Sequence, residues 1–222
     1  MAAQTEPRLP LNRDRILQAA LELADEGGIE ALTMRKLGQV LGFEAMSLYN
    51  HVANKDDVLD GILDLVLAET EPPSPAGDWR TAIRRSAISV HQGLTRHPWA
   101  CPLLMSPGHI RPARLHYMDS LLGRLREAGF SADTTYHAYH VLDAHIFGFS
   151  LWQANHSYNA AQPTLDMAAM LERIVPVDVY PYLHEHGKQH MSDGTHRDVS
   201  AFEFSLDFIL DGLENIRATE SP

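Results

Sequence analysis

Cysteine is nearly absent: Cys101 is the only one in 222 residues. One thiol can neither close an intramolecular disulfide nor supply a Cys-rich zinc site, so a disulfide scaffold and a zinc finger are both excluded. Long apolar runs are also missing. The most apolar stretch, residues 62–68, is interrupted by Asp64 and falls far short of the roughly 20 residues a membrane helix needs. Residues 1–10 lack the apolar core of a secretory leader. These absences predict a cytoplasmic chain with no membrane partner. Positive charge is scarce, with 18 Lys and Arg against 29 Asp and Glu, a net charge of −11. That balance argues against indiscriminate binding to nucleic acid, but leaves a local basic patch open. Strict alternation of apolar and polar residues is sustained nowhere, so the fold class reads as all-α.

What is present divides into a head and a body. Residues 71–77 contain three prolines within four positions, Pro72, Pro73 and Pro75, which no helix can cross. The break predicts a head over 1–70 and a larger body over 71–222. In the head, Asn12, Thr33 and Asn54 are placed as helix N-caps, and Gly27-Gly28 and Gly42 as stops. Ile16, Ala20, Leu23 and Ala24 form one stripe; Leu37, Val40 and Leu41 a second; Val58, Ile62, Leu65 and Val66 a third. A short helix over about 45–51 lies between the second and the last. In the body, Asp78 caps a helix carrying Trp79, Ile83, Ala87, Val90 and Leu94. A Pro-rich bend spans 98–112. The next helix starts at Pro112, with Leu115, Met118, Leu122 and Leu125 as its apolar face. Ser131 caps a long helix to about His156. A shorter helix is expected over 165–175, an irregular stretch with room for one short helix over 176–197, and a last helix from about Asp198.

Residues 33–51 are the most informative segment. A capped helix of about eight residues, a glycine stop, a tight turn and a short helix make helix-turn-helix geometry, whose second helix fits a DNA major groove. Charge is distributed accordingly. Residues 1–70 hold 6 basic and 12 acidic side chains, yet residues 33–55 hold three basic side chains against Glu44 alone.

Residues 11–70 resemble the DNA-binding domain of the tetracycline-repressor (TetR) family. The run from Gly28 to Leu37 matches its first part, and Leu41-Gly42, Leu48-Tyr49, His51-Val52 and Asn54-Lys55 match the rest at family spacing. The resemblance implies an all-α homodimer that binds a palindromic operator on double-stranded DNA and releases it when a small molecule binds the body. It implies phosphate contacts from Tyr49, Lys55 and Thr33, and a base contact from Arg35, whose guanidinium suits guanine. Ala45, Met46, Ser47, Asn50 and His51 occupy the exposed face of the short helix. Asn50 stands where many members carry an aromatic residue, so operator preference does not transfer.

The last helix has Phe202, Leu206, Ile209, Leu213 and Ile216 at heptad spacing, broadened by Phe204 and Phe208. The long helix offers Val141, Ala144, Gly148 and Leu151, with small residues at the centre. With the family resemblance, these helices, near 132–156 and 198–217, are expected to form a four-helix dimer interface. The other face of the long helix carries Tyr136, Tyr139, His140, Asp143 and Phe147. Met105, His109, His116 and Ser120 are expected to face it across a ligand pocket, with Asp143 orienting His140.

Thirteen histidines, twelve of them after residue 90, raise a metal reading. His184, His186 and His190 are its best candidates, but their Pro- and Gly-flanked surroundings favour a polar loop. Arg111-Pro112 and Gly129-Phe130-Ser131 resemble the tetracycline-binding members. However, His109 is offset from the position of their magnesium-binding histidine, and Trp152 aligns with a glutamate of that site. An unknown aromatic or apolar effector is therefore expected, with no metal and no cofactor. Two alternatives stand beside this reading: a constitutive DNA-binding protein without effector, and an enzyme using His140 and Asp143 as an acid–base pair in the same pocket.

Overall fold

The computed structural model describes residues 10–106, 108, 112–157, 173–191 and 200–220. The expected helix over 165–175 lies almost wholly outside these residues, and so does His109. Among the described residues the chain is helical with no strand: α1 (Arg13–Gly27), α2 (Met34–Leu41), α3 (Ala45–Leu48), α4 (Lys55–Ala68), α5 (Trp79–Arg96), α6 (Ala100–Leu104), α7 (Pro112–Glu127), α8 (Ala132–Ser157), α9 (Pro181–Met191) and α10 (Ala201–Glu220).

Helix starts follow local chemistry. Asn12 accepts from the Arg15 amide, Thr33 from Lys36, Asn54 from Asp57 and Asp78 from Thr81. Ser131 and Ser200 do the same for α8 and α10. Each such cap satisfies an amide that has no partner within its helix, worth about 1 kcal/mol. Gly42 ends α2 in the left-handed region, at φ 75°, where a side chain would be strained.

In the head, α1 packs on α2 and α4, and α2 packs on α3. Ile16, Ala20, Leu37, Leu48, Val58 and Ile62 are fully buried at their meeting point. Burying each large aliphatic side chain contributes about 1.5–3 kcal/mol. Arg13 reaches across from α1 to Asp57 of α4 with two hydrogen bonds, 2.9 and 2.8 Å. In the body, α5 and α8 lie against each other and both contact α7 and α10. Trp79 meets the Phe130 ring edge-on, with centroids 5.0 Å apart. Arg84 ties α5 to α10 through Asp207 and Glu203, each at 2.7 Å.

Three local expectations need correction. Val40 is 56% exposed, because α2 buries its Leu37–Gly38 side instead. The Pro-rich bend contains α6, which the sequence reading missed. Pro102 sits in its first turn, where its lack of an amide hydrogen costs no intrahelical bond. The inward face of α7 is Tyr117, Leu121, Arg124 and Leu125, while Leu115 is exposed. The stretch over 176–197, read as having room for one short helix, holds the 11-residue α9.

Candidate DNA interface and effector site

The DNA-facing candidates stand on a tightly closed turn. The Phe43 amide donates to the Gly38 carbonyl at 2.9 Å. A Cβ on Gly38 would lie 2.8 Å from Phe43 O and 3.1 Å from Ala45 N. Only glycine lets α2 approach the start of α3 so closely. Leu37, Leu48 and Val52 anchor the unit in the core. All nine predicted residues stay out of that core. Thr33, Arg35, Met46, Tyr49, Asn50 and His51 are exposed; Ala45, Ser47 and Lys55 are half-exposed. Met46, 75% exposed, is a large apolar side chain held in solvent, as a surface awaiting a partner would hold it. The regular part of α3 ends at Leu48, shorter than expected. Hydrogen-bonded turns then carry the chain through His51, whose amide donates to Leu48 O at 2.9 Å.

The body candidates do not all converge. Tyr139 and Phe147 are buried and Asp143 is half-buried. Burial pushes the Asp143 carboxyl up, and the guanidinium of Arg114, 3.8 Å away, pulls it back. Arg114 also lies over the Phe147 ring, 4.7 Å from its centre. Tyr117, which the sequence reading passed over, is buried beside them, and that burial pushes the pKa of its hydroxyl up. Arg114 and Tyr117 could have been found by projecting α7 onto its buried side. Tyr136, His140 and Met105 are exposed. His140 Nδ1 contacts its own helix at Tyr136 O, 2.8 Å away, so the expected orientation of His140 by Asp143 gives way to a local bond. His116 lines a cavity of about 210 Å³ between the end of α4, the linker and the start of α7, shared with Leu67, Thr70, Pro72 and Tyr117. Ser120 bonds back to His116 O at 2.8 Å. Tyr117 therefore joins this cavity to the Arg114–Asp143 group.

The metal reading finds no support from His184, which is buried with Nδ1 at 3.1 Å from Val175 O. Among the described residues no three metal-ligating side chains gather. The linker is strapped to α5: Ser89 accepts from the Glu71 amide, Ser86 donates to the Glu71 carbonyl, and Arg85 pairs with the Glu71 carboxylate.

Comparison with known proteins decides what these surfaces belong to. Residues 16–62 match the family described as "Bacterial regulatory proteins, tetR family". Residues 71–217 match "Tetracyclin repressor-like, C-terminal domain". The chain belongs to the tetR family. One relative of this tetR-family chain is the transcriptional repressor DrrR1 of Streptomyces coeruleorubidus, 31% identical over 94% of this chain and 79% of that protein. The class D tetracycline repressor of Escherichia coli is 33% identical over 66% of this chain and 68% of its own length. Among solved structures, the tetR-family protein ActR of Streptomyces coelicolor in complex with actinorhodin superposes with a TM-score of 0.74. It is 27% identical and covers 92% of this chain and 96% of its own. The all-α class and the family resemblance are borne out, and the chain is a ligand-responsive transcriptional repressor. The enzyme alternative is set aside, since the family and its named relatives are regulators.

Proposed function

We propose that the protein acts in the cytoplasm as a homodimer, binds a palindromic operator through two heads, and leaves it when an aromatic or apolar small molecule enters the body. The observation that carries the DNA part is the α2–turn–α3 unit, closed by Gly38 and presenting Met46, Tyr49, Asn50 and His51 to solvent. Tyr49, Lys55 and Thr33 hold phosphates and fix the register. Arg35 reads a base, and Ala45, Met46, Ser47, Asn50 and His51 face the major groove. Residues 1–70 serve as the reading head and residues 71–222 as the sensing and pairing body.

Pairing through α8 and α10 is supported by exposed apolar side chains on both. Val141, Ala144 and Gly148 line one side of α8, and Phe208, 76% exposed, stands on α10 with Ile216. A Cβ at Gly148 would meet nothing within 4 Å inside the chain, which leaves room for another helix. Phe204 and Phe208 are exposed while Phe202, Leu206, Leu210 and Leu213 are buried. The last helix thus has two apolar faces, one used inside the chain and one outside it.

The effector site lies around Tyr139, Phe147 and Asp143, joined by Arg114 and Tyr117 and by the cavity at His116. Tyr136 and His140 flank Tyr139 from exposed positions; Met105 and Ser120 belong to the predicted set, as does His109 outside the described residues. Aromatic walls with few polar groups suit a planar, oxygen-bearing molecule. The relatives named for tetracycline and bound to actinorhodin support that class. The test is selection of duplexes from a random pool, followed by release with a panel of aromatic compounds. Recovery of a palindrome bound by two chains and released by a panel member supports the reading. Recovery of no enriched sequence contradicts it.

A further inference from the structure

At the corner between α5 and α6 the body grips two helices of the head. His97 directly follows α5, and its side chain is only 8% exposed. Its Nδ1 lies 2.7 Å from Oδ1 of Asp25 in the last turn of α1. Its Nε2 lies 3.4 Å from Oε2 of Glu69, at the end of α4. Trp99 Nε1 donates to the same Asp25 oxygen at 2.7 Å. Arg96 Nη2 donates to the same Glu69 oxygen at 2.7 Å. Each head carboxylate is therefore held by two side chains from four consecutive body positions, 96–99. Pro98 fixes the backbone between the two rings. Backbone packing is close here too: a Cβ on Gly93 would lie 3.2 Å from Thr70 Cγ2.

The consequence for DNA reading follows from leverage. α4 has 14 residues, and Glu69 caps the end opposite α3. A helix of that length spans about 21 Å, so a tilt of about 5° at Glu69 moves the far end by about 2 Å. α1 packs on both α2 and α4, so Asp25 and Glu69 together hold the whole head against rotation. The helix-turn-helix meets DNA only when its two copies match the groove spacing, about 34–36 Å between half-sites. Holding the head fixed at this corner holds that spacing.

We propose that His97 is a positioning residue for operator reading. With Trp99 and Arg96 it clamps α1 and α4 to the body and thereby sets the separation of the two heads. The inference rests on the DNA-binding function proposed above. It names a determinant of half-site spacing that touches no DNA.

Two measurements test it in the full-length protein. In the first, spin labels on the exposed positions Glu30→Cys and Ala132→Cys report the head-to-body distance within one chain, without DNA. The buried Cys101 stays unlabelled. Asp25→Asn, which keeps the Trp99 contact, and His97→Phe, which keeps a ring in the corner, are each expected to broaden the distance distribution about twofold, a change of the size that small helix shifts produce. In the second, a palindrome selected by the wild type is lengthened or shortened at its centre by one base pair. The wild type is expected to lose about tenfold in affinity, and the variants less than about threefold. A distribution of unchanged width in both folded variants overturns the clamp. Broadened distances with unchanged spacing discrimination overturn its role in reading. A wild type that selects no palindrome defeats the DNA-binding reading, while the distance measurement still decides the clamp.

Discussion

Asp57 holds Arg13 across 44 positions of sequence with both carboxylate oxygens, while Oδ2 also accepts the Ala53 amide at 2.8 Å. One side chain thus holds the chain entering α4 and fastens that helix to α1. The hydrogen bond and charge of Asp57 raise the Arg13 pKa further above its ordinary value. Asp57→Ala is expected to cost about 1 kcal/mol from the lost hydrogen bond to the Ala53 amide and under about 1 kcal/mol from the partly exposed pair. The midpoint of urea unfolding checks this; an unchanged midpoint contradicts it.

Phe202 lies between two imidazoles, stacked 3.9 Å from His91 and 4.8 Å from His145. Burial lowers the pKa of both histidines. The folded chain therefore binds fewer protons than the unfolded one at mildly acid pH. This contribution to stability is intact above the unfolded histidine pKa, near 6.5, and is lost as pH falls below it towards the folded values. The melting temperature should fall between pH 7.5 and pH 5, and His91→Gln with His145→Gln should flatten that slope. Parallel slopes for wild type and double variant would count against it.

Gly38→Ala places a methyl group 2.8 Å from a backbone oxygen. The turn must open, and α3 must shift relative to α2. DNA affinity is expected to drop at least about tenfold, the scale of losing one good base contact, with body helices intact. Nuclease footprinting and circular dichroism together separate that outcome from general unfolding.

Much of the head was legible because its signals are local. Asn12, Thr33 and Asn54 cap its helices through amides three positions on, as Asp78 does in the body, and Gly42 stops α2 through its own φ. The α7 face was misread because Tyr117, Leu121, Leu125, Met118, Leu122 and Leu115 spread over one wide apolar arc, and the chain buries the Tyr117 side of that arc rather than the Leu115 side. Pro102 disguised α6 as a bend. The pairs that join parts of the fold, His97 with Asp25 and Arg84 with Asp207, span 72 and 123 positions, and no local pattern announces them. Of the effector candidates, Tyr139, Asp143 and Phe147 were visible as one helical face. Arg114 and Tyr117 depended on the α7 rotation that the sequence left ambiguous.

Gly148→Leu tests pairing without disturbing the chain, because a Cβ there meets nothing within 4 Å. Combined with Phe208→Glu, it should convert a species of about twice 24.8 kDa into one of single-chain mass by light scattering, since a charge buried in an apolar interface is costly. A wild type already at single-chain mass would remove the dimer from the proposal.

Whether residues 33–55 read DNA is decided by one titration. The duplex selected by the wild type is titrated with wild type, Lys55→Ala, and Tyr49→Ala with Lys55→Ala at several salt concentrations. The double variant is expected to lose about a hundredfold in affinity at moderate salt, and removing Lys55 alone to lower the salt slope by about one. Undiminished binding by the double variant, with the same salt slope as wild type, would contradict it.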